Sequence, residues 1–142
     1  MTVLIFVRHA EAAAGDDKFR PLTAAGRAMA AEAAEWLASR GRRPTAVITT
    51  QTQRTRATAD ILLERLGPAP RTTRPGLPAR EPAWSCFADE LEGLPLLVGH
   101  HPTQQLIIRS FGGPDPGERK CAVFILARTK TSWTCIDSWP GR

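Results

Sequence analysis

Three short apolar runs, at residues 3–7, 46–49 and 94–98, mark out the amino-terminal two thirds of the chain. Each run is shorter than a buried helix and contains branched side chains, which is typical of a strand covered on both faces. A segment with helical spacing follows each run. This alternation predicts an α/β domain whose parallel strands are connected by right-handed crossovers.

Helices are predicted from apolar spacing and from end signals. The first begins after Thr23, a good N-cap residue, and ends near Gly41. The second covers residues 54–66, the third covers residues 83–92, and the fourth begins at Pro102. The apolar faces of the first two helices consist of Met29, Ala33, Trp36 and Leu37, and of Thr58, Ile61, Leu62 and Leu66.

The remaining segments complete the fold prediction. Residues 68–82 are rich in proline and arginine and predict a loop with at most one short strand, at residues 71–74. The runs at residues 121–126 and 132–137 flank a turn and predict a hairpin at one side of the sheet. We therefore expect residues 1–142 to form one domain, a three-layer α/β/α sandwich with a mostly parallel central sheet and a C-terminal hairpin.

Composition limits the expected location and partners. The net charge of +5 comes from scattered basic residues that are not interleaved with aromatic side chains, so we expect no nucleic-acid partner. No apolar stretch is long enough to cross a bilayer and the first run is too short for a signal peptide, so we expect no membrane partner and a cytoplasmic location. Reduced thiols are expected at Cys86, Cys121 and Cys135, which lack metal-binding spacing.

Cationic and imidazole side chains follow the three apolar runs. Arg8 and His9 come directly after the first run, and Arg54 and Arg56 lie at the start of the helix that follows the second. His100 comes shortly after the third run, and His101 is adjacent to it. Because the carboxyl ends of parallel strands meet at one edge of a sheet, we expect these side chains to share a cleft, provided that the three strands are adjacent.

The residues expected in this cleft are suited to binding an anion. Arginine grips phosphate oxygens with two N–H groups, and helix N-termini add free N–H groups. Histidine serves as nucleophile, acid or base near neutral pH. A metal site is disfavoured, because arginines repel a cation and no carboxylate lies at the strand ends. We therefore expect neither a metal nor another cofactor.

Several motifs resemble the histidine phosphatase superfamily over nearly the whole chain. Residues 8–11, Arg-His-Ala-Glu after an apolar strand, resemble its signature, and residues 20–27 resemble the segment that opens its first helix. Residues 49–59 resemble its second-strand motif with Arg54 as the matching arginine, and residues 97–102 resemble its last motif. The short chain, with no long insertion before the third apolar run, resembles the small SixA-type phosphohistidine phosphatases.

This resemblance implies a role for each matching residue. His9 would attack phosphorus in line and form a phosphohistidine enzyme intermediate, which water would then hydrolyse. Arg8 and Arg54 would hold the phosphoryl oxygens, and His100 would donate a hydrogen bond to the phosphoryl group. Arg56, which lies close to Arg54 in the sequence, does not match the family's arginine.

No residue matches the carboxylic acid with which ester-cleaving relatives protonate the leaving group. Glu81, Asp89 and Glu90 lie in the corresponding part of the chain, but they are more typical of solvated helix and loop residues. A phosphoramidate needs less help from an acid, because its nitrogen can be protonated first. The expected function is therefore a metal-independent phosphatase that acts on phosphohistidine in a protein.

Two alternatives would use the same residues. A small-molecule phosphomonoesterase of this fold would bind a small phosphate substrate in place of a phosphorylated protein. A phosphate- or phosphoprotein-binding module would bind without turnover. A dinucleotide-binding domain is disfavoured, because no Gly-x-Gly-x-x-Gly motif follows the first apolar run.

Overall fold

The computed structural model describes residues 2–142. Its strands are β1 (Val3–Arg8), β2 (Ala46–Thr50), β3 (Arg71–Arg74), β4 (Pro95–Gly99), β5 (Val123–Arg128) and β6 (Trp133–Trp139). Its α-helices are α1 (Ala24–Ser39), α2 (Gln53–Leu66), α3 (Ala83–Ala88) and α4 (Thr103–Ser110), and a 3₁₀ turn covers Asp17–Phe19. Within this described range, none of the helices is both long and apolar enough to cross a membrane.

The strands form one sheet in the order β3-β2-β4-β1-β5-β6. Strands β3, β2, β4 and β1 pair in parallel. Strand β5 is antiparallel to β1 and forms a hairpin with β6. The three apolar runs of the sequence are therefore neighbours in the centre of the sheet, and the prediction of a mostly parallel sheet with a C-terminal hairpin is confirmed.

Alternate residues of β1 face two separate cores. Ile5 and Val7 pack with the buried faces of α1 and α2, whereas Leu4 and Phe6 pack with residues of α3 and α4. Trp84 of α3 is fully buried and stacks on Phe6 with the ring centroids 5.7 Å apart. Burial of this kind stabilises a fold by about 1.5–3 kcal/mol for each large apolar side chain. Helices thus cover both faces of the sheet, which confirms the three-layer α/β/α prediction.

Some element ends differ from the sequence prediction. Helix α3 stops at Ala88, before the predicted end at Glu92. Strand β5 begins at Val123 and not at Cys121, since Cys121 has a φ of 60° and such a residue cannot continue a strand. The edge strand β3 is exposed along its length, and its side chains show no apolar pattern. Backbone pairing with β2 therefore holds it in the sheet.

Candidate active site

The carboxyl ends of β1, β2 and β4 lie side by side. Arg8 at the end of β1 pairs with Gly99 at the end of β4, and β2 ends at Thr50 on the other side of β4. The residues that follow, His9 and His100, therefore meet, and their ring centroids are 5.3 Å apart. The order of the strands thus brings together the side chains that the sequence places at three separate strand ends.

His9 is nearly buried, with 8% of its surface exposed. Its Nδ1 lies 2.7 Å from the carbonyl oxygen of Ala10. Because a carbonyl can only accept a hydrogen bond, Nδ1 carries the proton and Nε2 keeps its lone pair. Burial lowers the pKa of His9 to about 3, even though the Ala10 hydrogen bond raises it. The nearby charges of His100, Arg54 and Arg8 lower this pKa as well, so His9 is neutral near pH 7.

His100 is held by polar contacts on both ring nitrogens. Its Nδ1 lies 3.4 Å from Nη2 of Arg54, and its Nε2 lies 2.7 Å from the hydroxyl oxygen of Thr50. A guanidinium can only donate, so Nδ1 is the acceptor and Nε2–H is the donor to Thr50. Burial, and next the charge of Arg54, lower the pKa of His100 to about 4, while Asp17 raises it. The site therefore holds two neutral imidazoles near pH 7.

Arg54 is buried at the start of α2, with 7% of its surface exposed. Its Nη1 donates to the backbone carbonyl of Asp17, and its Nη2 lies 3.1 Å from the carboxylate Oδ1 of Asp17. The sequence pattern does not predict this ion pair, because Asp17 lies in an irregular segment far from Arg54 in the chain. Arg56 is exposed and lies outside this contact, as the motif spacing predicts.

Arg8 is held by the segment that precedes β5. Its Nη1 donates to the carbonyl oxygens of Glu118 and Arg119, at 2.8 and 3.1 Å. The Nε–H groups of Arg8 and Arg54 are both buried and have no hydrogen-bond partner among residues 2–142. A buried donor without a partner costs about 1–3 kcal/mol, so an anion that reached these groups would be stabilised.

An open cleft of about 460 Å³ borders Arg54 and His100, whereas Arg8 and His9 are not among the residues that line it. It is lined by Asp17, Lys18, Thr50, Gln51, Thr52, Arg54, Pro75, His100 and His101. The first turn of α2 borders it, and free N–H groups at a helix N-terminus favour an anion. Across the described part of the chain, no three His, Cys, Asp or Glu side chains are grouped so that they could hold a metal ion.

Two of the three candidates for a general acid, Glu81 and Glu90, are not among the residues that line the cleft. Both carboxylate oxygens of Glu81 accept hydrogen bonds from Ser85, one from its backbone N–H and one from its hydroxyl. This contact holds the start of α3 against the loop that precedes it. Glu90 lines a different groove, beside Phe87 and β3. Neither residue is among those that line the cleft.

The third candidate, Asp89, lies near the opposite end of the central strands, where β1 begins. Its carboxylate accepts a hydrogen bond from the indole N–H of Trp133 at 2.8 Å and pairs with Arg128 at 3.1 Å. The backbone N–H of Arg128 donates to Thr2, just before β1 begins. Because His9 follows the far end of β1, Asp89 is a whole strand length from the candidate site.

Thr58 links the backbone next to His9 with the backbone of Arg54, although the sequence indicates only that it lies on an apolar helix face. Its hydroxyl accepts a hydrogen bond from the backbone N–H of Ala10 at 3.0 Å and donates to the carbonyl of Arg54 at 2.8 Å. The side chain is fully buried. Since the carbonyl of Ala10 fixes the proton on Nδ1 of His9, Thr58 helps to hold His9 in its neutral tautomer.

Replacing Thr58 with valine should lower the free energy of unfolding by about 1–3 kcal/mol, because the buried N–H of Ala10 loses its acceptor. We expect a parallel loss of turnover, since the Ala10 peptide becomes free to shift. Urea denaturation and steady-state rates measure the two effects. Thr58→Ser is the matched control and should keep both the wild-type stability and the wild-type turnover. Equal stability of the valine and serine variants would contradict the proposed hydrogen-bonding role of Thr58.

The low pKa of His9 predicts a specific pH dependence of stability. The unfolded chain takes up a proton on His9 as the pH falls through about 6.5, whereas the folded chain, with a pKa of about 3, does not. The contribution of His9 to the free energy of unfolding is therefore fully present above pH 6.5 and is lost as the pH falls from there towards 3. Between pH 7 and 5 the wild type should lose about 2 kcal/mol more than His9→Asn in urea denaturation. An identical loss in both proteins would argue against a buried neutral His9.

Comparison with protein families identifies a relationship for most of the chain. The profile of the histidine phosphatase superfamily (branch 1) matches residues 4–89, more than half of the chain. The sequence has no significant match among curated proteins.

Three solved structures illustrate the similarity in fold. A candidate phosphohistidine phosphatase SixA from Agrobacterium tumefaciens is 25% identical over 97% of each chain, with a TM-score of 0.82. The protein histidine phosphatase SixA complexed with tungstate is 20% identical over 98% of this chain and 97% of the other, also with a TM-score of 0.82. A mycobacterial glucosyl-3-phosphoglycerate phosphatase is 17% identical over 99% of each chain, with a TM-score of 0.64.

Proposed function

Since this chain belongs to the histidine phosphatase superfamily and is a phosphatase, we propose that it hydrolyses phosphohistidine in a protein through a phosphoryl intermediate on His9. The observation that carries the proposal is the state of His9. Its Nδ1 proton is donated to Ala10, which leaves a neutral Nε2 with a free lone pair, and the nearby charges of Arg54 and Arg8 also favour the neutral ring. This is the form of imidazole that can act as a nucleophile.

The first step transfers the phosphoryl group to the enzyme. Nε2 of His9 forms a bond to phosphorus while the bond to the leaving group breaks on the opposite side. Arg8 and Arg54 hold the phosphoryl oxygens, and their buried, unpartnered Nε–H groups support this role. The Nε2–H of His100, which donates to Thr50 here, is the donor that turns to a phosphoryl oxygen.

The second step returns His9 to its starting state. Water attacks phosphorus, the bond between phosphorus and Nε2 breaks, its electron pair returns to His9, and both protons of the water leave with the inorganic phosphate. Burial and the neighbouring cations favour this return, because they disfavour a positive imidazole ring. No step requires a metal ion.

Two features of the cleft support a phosphorylated protein as the substrate. Glu81, Asp89 and Glu90 do not line the cleft, and a nitrogen leaving group needs less acid catalysis than an oxygen one. In addition, Phe19 is 60% exposed beside Lys18, which lines the open cleft. Aromatic side chains are enriched where proteins contact each other, so Phe19 is available to a protein substrate that enters the cleft.

Mass spectrometry of enzyme quenched during turnover tests the mechanism. With EDTA present, we expect an acid-labile phosphate on His9. Phosphate on another residue, or activity abolished by EDTA, would contradict the proposal. The substrate is tested separately, by comparing the rate on a phosphohistidine protein with the rates on a panel of sugar and nucleotide phosphates. A strong preference for an ordinary alkyl ester would contradict a phosphoprotein substrate.

A further inference from the structure

We propose that Asp17 selects substrates whose leaving group is a cationic, protonated nitrogen group. This inference rests on the proposed phosphoryl transfer to His9 and adds the residue that recognises the leaving group. Asp17 is the one carboxylate among the described residues that line the cleft. Neither the family motifs nor the arrangement of the two imidazoles assigns it a role.

The carboxylate of Asp17 is held at one oxygen and open at the other. Oδ1 accepts a hydrogen bond from Nη2 of Arg54, and the backbone carbonyl of Asp17 accepts one from Nη1. The side chain is nevertheless 82% exposed, and Oδ2 makes no hydrogen bond within residues 2–142. Arg54 thus fixes the position of a negative charge at the cleft while leaving an acceptor free.

The open cleft is the side from which a substrate reaches His9 and towards which its leaving group departs. His9 is nearly buried and lies against His100, which lines the cleft together with Asp17. In an in-line displacement, the leaving group departs on the side of phosphorus opposite the nucleophile, which here is the open side. The exposed carboxylate of Asp17 borders that side together with Lys18 and Gln51.

A carboxylate in this position suits phosphohistidine. The substrate ring reacts as an imidazolium, with phosphorus on one nitrogen and a proton on the other. Asp17 accepts a hydrogen bond from that N–H and balances the positive charge. When the bond between phosphorus and nitrogen breaks, its electron pair stays on the ring nitrogen and a new bond joins phosphorus to Nε2 of His9. The product is a neutral imidazole that keeps its proton.

The same carboxylate disfavours a phosphate ester. An ester oxygen has no proton to donate to Asp17, and the dianionic phosphoryl group lies beside a negative charge without a compensating cation on the leaving group. Because Asp17 is exposed to water, this repulsion is modest. Asp17 should therefore raise the rate for nitrogen leaving groups and lower the rate for oxygen leaving groups.

Asp17→Asn tests this inference with two small substrates, phosphoramidate and p-nitrophenyl phosphate. Asparagine keeps an oxygen that can accept from Arg54 but removes the charge. A hydrogen bond to a charged group is worth about a tenfold rate difference or more. We therefore expect kcat/KM to fall about tenfold for phosphoramidate and to rise about two- to fivefold for p-nitrophenyl phosphate. A phosphohistidine protein should follow phosphoramidate.

Asp16→Asn is the matched control. Asp16 is also exposed, it lies outside the cleft lining, and its Oδ1 accepts only from the backbone N–H of Lys18. Removing its charge should change neither rate. If Asp17→Asn lowers both rates equally, Asp17 only positions Arg54 and the inference is wrong. An unchanged ratio of the two rates also overturns it.

These outcomes are distinct from failure of the proposed function. Absence of a phosphoryl group on His9 would contradict the proposed mechanism whatever Asp17 does. A phosphoryl group on His9 together with an unchanged rate ratio in Asp17→Asn would contradict only the role of Asp17. Because phosphoramidate and p-nitrophenyl phosphate are small, the ratio does not depend on contacts with a protein substrate.

Discussion

His9→Ala is expected to lower kcat by about 10⁵-fold or more, because the variant has no atom that can accept the phosphoryl group. The two neutral imidazoles do not substitute for each other in this structure. Nε2 of His9 carries the free lone pair, whereas Nε2 of His100 carries a proton that it donates to Thr50. Steady-state rates on a phosphohistidine protein measure the loss, and mass spectrometry should find no acid-labile phosphate on the variant.

His9→Asn separates the loss of the nucleophile from a loss of structure. Its amide is short enough to remain near Ala10 and can donate to the carbonyl that Nδ1 of His9 uses. We expect this variant to unfold cooperatively in urea and to bind phosphate, yet to be as inactive as His9→Ala. Residual turnover within tenfold of the wild type in either variant would exclude His9 as the nucleophile.

Arg54→Lys is expected to lower kcat/KM by about 10²–10³-fold. Lysine presents a single point charge, whereas the guanidinium of Arg54 contacts Asp17 with two nitrogens and approaches His100 with one of them. The substitution therefore removes the proposed phosphate contact and also releases the segment that carries Asp17. The rates on p-nitrophenyl phosphate and on phosphoramidate report this loss without a contribution from protein docking.

Arg56→Lys provides the matched comparison for this prediction. Arg56 lies on the same helix but is exposed and makes no side-chain contact with the two histidines or Asp17 among the described hydrogen bonds. Its substitution should change the small-substrate rates by less than about twofold. Equal losses from the two substitutions would mean that general positive charge, and not the fork of Arg54, binds the phosphoryl group.

The choice between Arg54 and Arg56 illustrates what can be predicted from the sequence. Residues two positions apart on a helix point in different directions, whereas residues four apart share a face. Arg54 therefore lies on the same side as the buried Thr58, and Arg56 does not. The motif spacing and the helical period select the same arginine, and the structure places that arginine in the cleft.

Thr58 and Asp17 illustrate what could not be predicted in this way. A buried threonine on an apolar helix face is consistent with simple packing, and the sequence contains no sign that its hydroxyl meets Ala10. Asp17 is one of two adjacent aspartates in an irregular segment, and only its contact with Arg54 distinguishes it from Asp16. In both cases the partner is far away in the chain, so no local pattern reports the contact.

The local elements and the residues at their ends can be predicted from the chain. Apolar runs of strand length, helical spacing and the Arg-His pair after the first run depend only on neighbouring residues. Which strand ends are adjacent, and which distant groups complete the site, follows only from the packing of the folded domain. Gln104 of α4 shows the difference, since its amide donates to the carbonyl of Phe6 in β1 and to that of Ala122, just before β5. Such contacts form only when the layers pack, because each joins groups that the chain itself keeps far apart.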